Sequence, residues 1–242
     1  MQTDKTPVLK SFYSTVEMPC PYLPDKSERK LAADISGTDG QRWANVLSRA
    51  GFRRSHGVCY TPVCEGCHAC LSVRIVLSGF VLNKKMKQNL RRNGNLSVSV
   101  LPNVADAEQY DLFRSYLSAR HAGSEMNGMF FEEYRAMVED SPVETVLLEA
   151  RDTLEGVLKG VMLVDVLDDG LSAVYSFFDT QSPSDGLGRY LILKLAEEAR
   201  RRGLPYVYLG YFIRECGNMA YKSAYRPLEY YSGGKWKPFI LR

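Results

Sequence analysis

The chain has 242 residues, of which 45% are hydrophobic, 24% charged and 11% aromatic, and it carries a net charge of +3. That length can bury a sizeable core, as one large domain or two small ones. No apolar run approaches the ~18 residues that cross a bilayer, and Met1 to Pro7 lack the apolar centre of a signal peptide. A cytoplasmic location without membrane contact is expected. Six cysteines in a reducing compartment are then free or metal-bound rather than disulfide-bonded.

Residues 1–10 read as a flexible start, and a proline-rich string, Met18 to Asp25, follows with Cys20 inside it. Gln41 to Ala50 predicts a short helix closed by Gly51. Phe52 to Pro62 predicts a hairpin about His56-Gly57. Cys64, Cys67 and Cys70 then stand at C-x2-C-x2-C spacing. This spacing folds a loop so that its sulfurs converge, which suits zinc or an iron–sulfur cluster. Cys20 could supply a fourth ligand. The competing reading is a set of reduced, buried thiols packing a small subdomain. Cys59 and Cys216 read as ordinary buried or crevice residues.

Leu71 to Leu77 alternates as a strand does. Asn83 to Arg92 predicts a basic helix stopped by Asn93-Gly94, with Met86 and Leu90 as its only apolar anchors. Their i, i+4 spacing buries one narrow stripe and leaves the other faces to cations. From Gly66 to Ala105 there is no Asp or Glu, but there are Arg74, Lys84, Lys85, Lys87, Arg91 and Arg92. Such a patch commonly meets phosphates; the alternative is a plain solvated helix face.

The second half predicts a strand at Leu96 to Leu101, helices at Ala105 to Arg120 and Phe130 to Val138, and three strands at Val143 to Ala150, Gly156 to Val166 and Leu171 to Asp179. An amphipathic helix, Gly186 to Arg202, has Leu187, Leu191 and Leu195 on one face and ends at Gly203. A strand over Pro205 to Phe212, a short helix over 218–224 and a last strand complete the chain. This order resembles that of the GNAT acyltransferases, in which a helix start faces the acyl donor across a splayed pair of strands. Here that start is Ser184-Asp-Gly-Leu-Gly188, whose free backbone N–H groups at Gly186 and Gly188 suit an anion. The place usually held by Arg or Gln in coenzyme A binders is Pro183, which argues for another acyl donor.

Longer strings identify a family. Pro19 to Asp25, Gly51 to Ser55, Tyr60-Thr-Pro, the three-cysteine run through Val73-Arg74-Ile75, Arg92-Asn93, Tyr175 to Asp179, Leu187 to Leu193, Gly203 to Ile213 and Cys216 to Lys222 resemble the bacterial aspartate/glutamate leucyltransferases. These are relatives of the eukaryotic arginyl-tRNA–protein transferases. The resemblance spans about residues 12–240. The pattern departs at Thr180, Gly186 and Asn218, where Pro, Ser and Lys are expected.

The resemblance implies an α/β fold with a GNAT-like half over residues 96–240, a smaller cysteine-containing region over 11–82, and the basic helix and its connection over 83–95. It implies transfer of leucine from leucyl-tRNA to the α-amino group of proteins starting with Asp or Glu, marking them for N-end rule degradation. Arginyl transfer is the same-chemistry alternative, and a non-catalytic RNA-binding module is the alternative of another class. In the eukaryotic relatives the N-terminal cysteines are associated with metal or an iron–sulfur cluster, which would make Cys20, Cys64, Cys67 and Cys70 the ligands.

An aminoacyl ester is already activated, and an α-amine of pKa about 7.7–8.0 is partly neutral near pH 7. Positioning the amine and stabilising the oxyanion matter most, so no cofactor is required for transfer and no triad is expected. Tyr208 and Tyr211 are candidates to hold the ester or stack on the terminal adenine, against a reading as core aromatics. An acidic acceptor calls for a cation, and Arg53, Arg54 and Arg74 are the candidates. Lys84, Lys85, Lys87, Arg91 and Arg92 are the expected tRNA contacts. His121, the only histidine of the second half, reads as a helix-end residue.

Overall fold

A computed structural model describes residues 10–120, 125–181 and 186–240. His121, Pro183, Ser184 and Asp185 lie outside the described residues, as does most of the first ten. In chain order the strands are β1 (Tyr13–Ser14), β2 (Met18–Pro19), β3 (Ser27–Glu28), β4 (Lys30–Asp34), β5 (Arg53–Ser55), β6 (Val58–Pro62), β7 (Leu71–Val76), β8 (Leu96–Pro102), β9 (Thr145–Asp152), β10 (Leu158–Leu167), β11 (Gly170–Phe178), β12 (Tyr206–Phe212), β13 (Leu228–Ser232) and β14 (Lys235–Pro238). The α-helices are α1 (Gly40–Arg49), α2 (Lys84–Arg92), α3 (Ala107–Arg120), α4 (Phe131–Glu139) and α5 (Leu187–Arg201), and a 3-10 segment spans Gly217–Ala224.

The large sheet has eight strands in the order β14-β13-β7-β12-β11-β10-β9-β8. It is buried on both faces in its middle, so its strands alternate between two apolar environments rather than between core and water. On β10, Met162 and Val164 join α5 in one cluster, while Val161 and Leu163 join α3 and α4 in the other. A small sheet, β1-β4-β6-β5, packs with α1 against the α3 side, where Ala33, Ile35, Ala44, Leu47 and Cys59 meet Leu167 and Tyr208.

β7 comes from the cysteine-containing stretch, yet it pairs with β12 on one side and β13 on the other. The two parts of the chain therefore share a sheet. The order of elements after residue 96 follows the expected GNAT sequence, and the closing hairpin β13–β14 returns to β7.

The feature that positions a site is the junction of β11 and β12. They pair in parallel only from Gly170↔Tyr206 to Ser172↔Tyr208. Beyond that the strands diverge and leave a wedge between 173–178 and 209–212. A register irregularity on β12 between Tyr208 and Gly210 and a left-handed Gly210, φ +79°, turn the strand away, as a bulge does.

Candidate active site

The wedge opens into a crevice of about 560 Å³. Its walls are Ser176, Phe178 and Asp179 on or just after β11, Gly186 to Arg189 at the start of α5, Tyr116 and Arg120 on α3, and Gly217, Asn218, Ala220 and Tyr221 of the 3-10 segment. Gly186 is left-handed, φ +62°, and precedes the first turn of α5 without a side-chain cap. A first turn leaves backbone N–H groups without intrahelical partners. Gly188 is required by close approach, since a Cβ there would lie 2.8 Å from Phe178 Cε1. The three positions at which the chain departs from the expected family pattern, Thr180, Gly186 and Asn218, all line this crevice. Gly186 fits its place because a left-handed turn favours glycine over serine. The argument against coenzyme A rests on Pro183, outside the described residues.

A second groove of about 460 Å³ runs along the basic helix and includes Lys85, Met86, Asn89 and Arg92. It shares Gly186, Arg189 and Tyr221 with the crevice. The helix α2 is capped by Asn83, whose side chain accepts from the Met86 amide, and buries Met86. Asn89 fixes it to the start of α5 by donating to the Gly186 carbonyl at 3.2 Å. Lys84, Lys85, Lys87, Arg91 and Arg92 thus stand on a helix docked at the mouth of the crevice, the three lysines exposed.

The three candidate arginines separate. Arg54 is 8% exposed and its fork is closed on Asp165 at 2.6 and 2.5 Å. Arg74 is sandwiched between Tyr206 and Trp236, 3.5 and 4.2 Å from the ring centroids. It bonds Glu229 at 2.8 Å and the Tyr208 hydroxyl at 3.2 Å. Neither has a face left for an acceptor, which corrects the expectation for both. The neutralising carboxylates lie 111 and 155 residues away in sequence, beyond any local signal.

Arg53 is different. It enters the wedge from β5, donates to Ser172 Oγ at 3.2 Å and the Ala173 carbonyl at 2.5 Å, and lies against Gly210, where a Cβ would meet its Nε at 2.9 Å. Among the described residues it has no carboxylate partner.

The tyrosines are also placed otherwise than expected. The Tyr208 hydroxyl bonds Asp169 at 2.9 Å and Arg74, on the face turned to the small sheet. The Tyr211 hydroxyl donates to the Tyr60 carbonyl at 2.9 Å. Neither ring lines the crevice, because the register irregularity between Tyr208 and Gly210 puts both on the face turned away from it; Tyr116 and Tyr221 line it instead.

Cys20, Cys64, Cys67 and Cys70 gather near the small sheet. Burial pushes the Cys70 thiol up to about 12, reinforced by Cys64, Cys20, Cys67 and Glu28 around it. All are free thiols. Four sulfurs are the right donors in kind, but among the described residues no group of three or more His, Cys, Asp or Glu is arranged to hold a metal ion. The group does not fit the thiols as they stand.

Sequence reasoning passed over Tyr116, Arg120, Arg189 and Tyr221. Arg189 and Tyr221 lie inside strings already singled out, but nothing in those strings says which side chains turn inward.

The N-terminal and C-terminal models of the arginine-tRNA-protein transferase family match residues 18–88 and 108–232. The chain belongs to this family. An aspartate/glutamate leucyltransferase of Paramagnetospirillum magneticum is 48% identical over 94% of this chain and 93% of its own. One of Rhodospirillum rubrum is 48% identical over 96% and 94%. Among solved structures, a GCN5-related glucosamine N-acetyltransferase region of a fungal multi-domain β-N-acetylglucosaminidase is 7% identical, with a TM-score of 0.45 over 81% of this chain and 22% of that one. No helix of the described residues is long and apolar enough to cross a membrane.

Proposed function

We propose that this chain moves leucine from leucyl-tRNA to the α-amino group of proteins beginning with Asp or Glu. The observation that carries this is the continuity of the basic groove with the crevice through Gly186, Arg189 and Tyr221. A tRNA 3′ end laid along α2 delivers its ester directly into the wedge between β11 and β12.

The lining favours leucine over arginine as the donor. Tyr116 and Phe178, with ring centroids 5.0 Å apart, and Leu187 and Ala220 offer apolar surface. The one carboxylate lining the crevice among the described residues, Asp179, is bound to Lys159 at 2.9 Å. A guanidinium entering beside Arg120 and Arg189 meets like charge. Those two cations serve anions instead. Arg189, shared with the basic groove, belongs to the donor end. Arg120, on the α3 wall, is placed to read the acceptor carboxylate, and Arg53 stands at the base of the wedge.

The reaction is aminolysis of an ester, so binding and orientation do most of the work, no cofactor is called for, and coenzyme A is not the donor. The product enters N-end rule degradation in the cytoplasm, where charged tRNA is made. Transfer of labelled leucine from leucyl-tRNA, but not of arginine from arginyl-tRNA or acetyl from acetyl coenzyme A, to a peptide starting with Asp is expected. Arginine transferred as fast as leucine overturns the donor; no transfer from either tRNA overturns the reading. Zinc or iron at one per chain in anaerobically purified protein would show that the thiols rearrange around a metal.

A further inference from the structure

Two large grooves adjoin the crevice among the described residues. The basic groove meets it at the start of α5. The other, of about 510 Å³, meets it at the end of β11 and shares Phe178, Asp179 and Thr180 with it. One wall of this second groove is Glu108, Asp111, Leu112 and Ser115 of α3. Positions three and four apart share a helix face, and the next turns of the same face carry Tyr116 and Arg120, which line the crevice. Crevice and second groove are therefore successive stretches of one trough between α3 and the end of β11.

The two grooves differ in charge. The basic groove is lined by Lys85, Arg92 and Arg189 and by no acidic residue. The second is lined by Glu108, Asp111 and Asp179 against Lys159 alone. Lys159 is bound to Asp179 at 2.9 Å, and Glu108 to Arg151 at 2.7 Å. Asp111 is exposed and has no ion-pair partner among the described residues. Leu112, Val157 and Phe178 add apolar surface. This trough repels a phosphate backbone, but it suits an extended polypeptide with a basic side chain.

We propose that the second groove holds the acceptor polypeptide beyond its first residue, and that Asp111 favours a basic side chain about four residues downstream. This rests on the leucyl-transfer reading above, in which Arg120 takes the acceptor's first side chain. Both substrates occupy one crevice at once. With the donor in the basic groove, the acceptor chain needs a separate way out. Asp111 and Arg120 stand nine positions apart on α3, about 14 Å at 1.5 Å per residue. An extended chain covers that in about four residues at ~3.4 Å each. The side chain opposite Asp111 is then that of about the fifth acceptor residue.

The test uses the full chain, labelled leucyl-tRNA and ten-residue peptides that start with Asp, are otherwise uncharged in their side chains, and carry Lys, Ala or Glu at the fifth residue. KM should rise in that order with kcat unchanged, as for a contact made equally in ground and transition states. From Lys to Glu the rise should be about 2-fold or more at low salt, the scale of an exposed charge pair, and should shrink at high salt. Asp111→Lys should invert the order. A Lys moved to the tenth residue, past the groove, should lose its advantage.

Equal KM for the Lys and Glu peptides in the wild type overturns the proposal while leaving leucyl transfer standing. A preference for Lys that survives in Asp111→Lys does the same, since the phosphates of the bound tRNA then draw the peptide. A wild-type protein that moves leucine to none of the peptides overturns both. Should the variant fail to fold, the wild type decides by position: a Lys as favourable at the tenth residue as at the fifth overturns the proposal.

Discussion

Charge reversal at Lys84, Lys85 and Lys87 should separate stability from binding in opposite directions. The three lysines occupy the first turn or so of α2, which contains no acidic residue, where the helix dipole favours anions. Each misplaced cation costs about 0.3–1 kcal/mol at an exposed helix start. The helix is held instead by buried Met86, the Asn83 cap and the Asn89 bond to Gly186, none of which the substitutions touch. The triple Glu variant should therefore unfold at the same denaturant concentration as wild type or a higher one.

Its tRNA binding should change the other way. If each lysine meets one phosphate, three lost contacts lower the slope of log affinity against log salt by about 2–3. Between about 50 and 200 mM salt, wild-type affinity should then fall about 16–64-fold more than that of the variant. Filter binding of leucyl-tRNA across salt, with urea unfolding of the same preparations, measures both. An unchanged salt slope, or a variant that is weaker to urea, refutes the reasoning: the first means that α2 does not touch tRNA, the second that the lysines serve the fold.

Asp165→Ala should destabilise the protein by about 3–5 kcal/mol, since it strands the buried Arg54 charge, whereas Arg54→Met with Asp165→Leu should regain most of that loss in urea unfolding. Gly210→Ala meets both a left-handed backbone and Arg53 at 2.9 Å; a loss of about 1–3 kcal/mol with a fall in transfer rate is expected, and wild-type kinetics would show that Arg53 need not occupy the wedge. A peptide starting with Asn should react at least ~10-fold more slowly than one starting with Asp, because a charge-assisted bond is worth roughly 1.5–3 kcal/mol, and Arg120→Ala should erase that preference; equal wild-type rates would mean that no cation reads the side chain. Lys222 binds its proton less tightly folded, near 7, than unfolded, near 10.4, so its contribution to stability should be absent at low pH and grow as pH rises above 7. Cys59 and Cys70, both pushed up to about 12 by burial, act oppositely above about 8.5, so the rise should appear between those limits in wild type and vanish in Lys222→Met.

Much of the architecture was legible along the chain because it is written in local periods. The i, i+4 leucines at 187, 191 and 195, the Asn93-Gly94 stop and the His56-Gly57 turn are signals that neighbours create, and α5, the end of α2 and the β5–β6 hairpin follow them. The acid-free run that marks α2 as a cationic face is likewise a property of adjacent residues, and so is the start of α5 at Gly186 and Gly188. What the strings could not convey is which side chains are neutralised by distant ones. Arg53 and Arg54 are adjacent and look alike, but strand alternation sends one into the wedge beside Gly210 and the other onto Asp165. Tyr208 and Tyr211 sit on the expected strand, yet the pleat and the Gly210 bulge turn their rings to the small sheet. Lys222 reads as one more surface lysine until the tertiary structure buries it, with no counterion among the described residues, beside the open end of β12. Secondary structure depends on contacts a few residues apart, whereas the charge state and direction of a site residue depend on partners that only the folded sheet brings within a few ångströms.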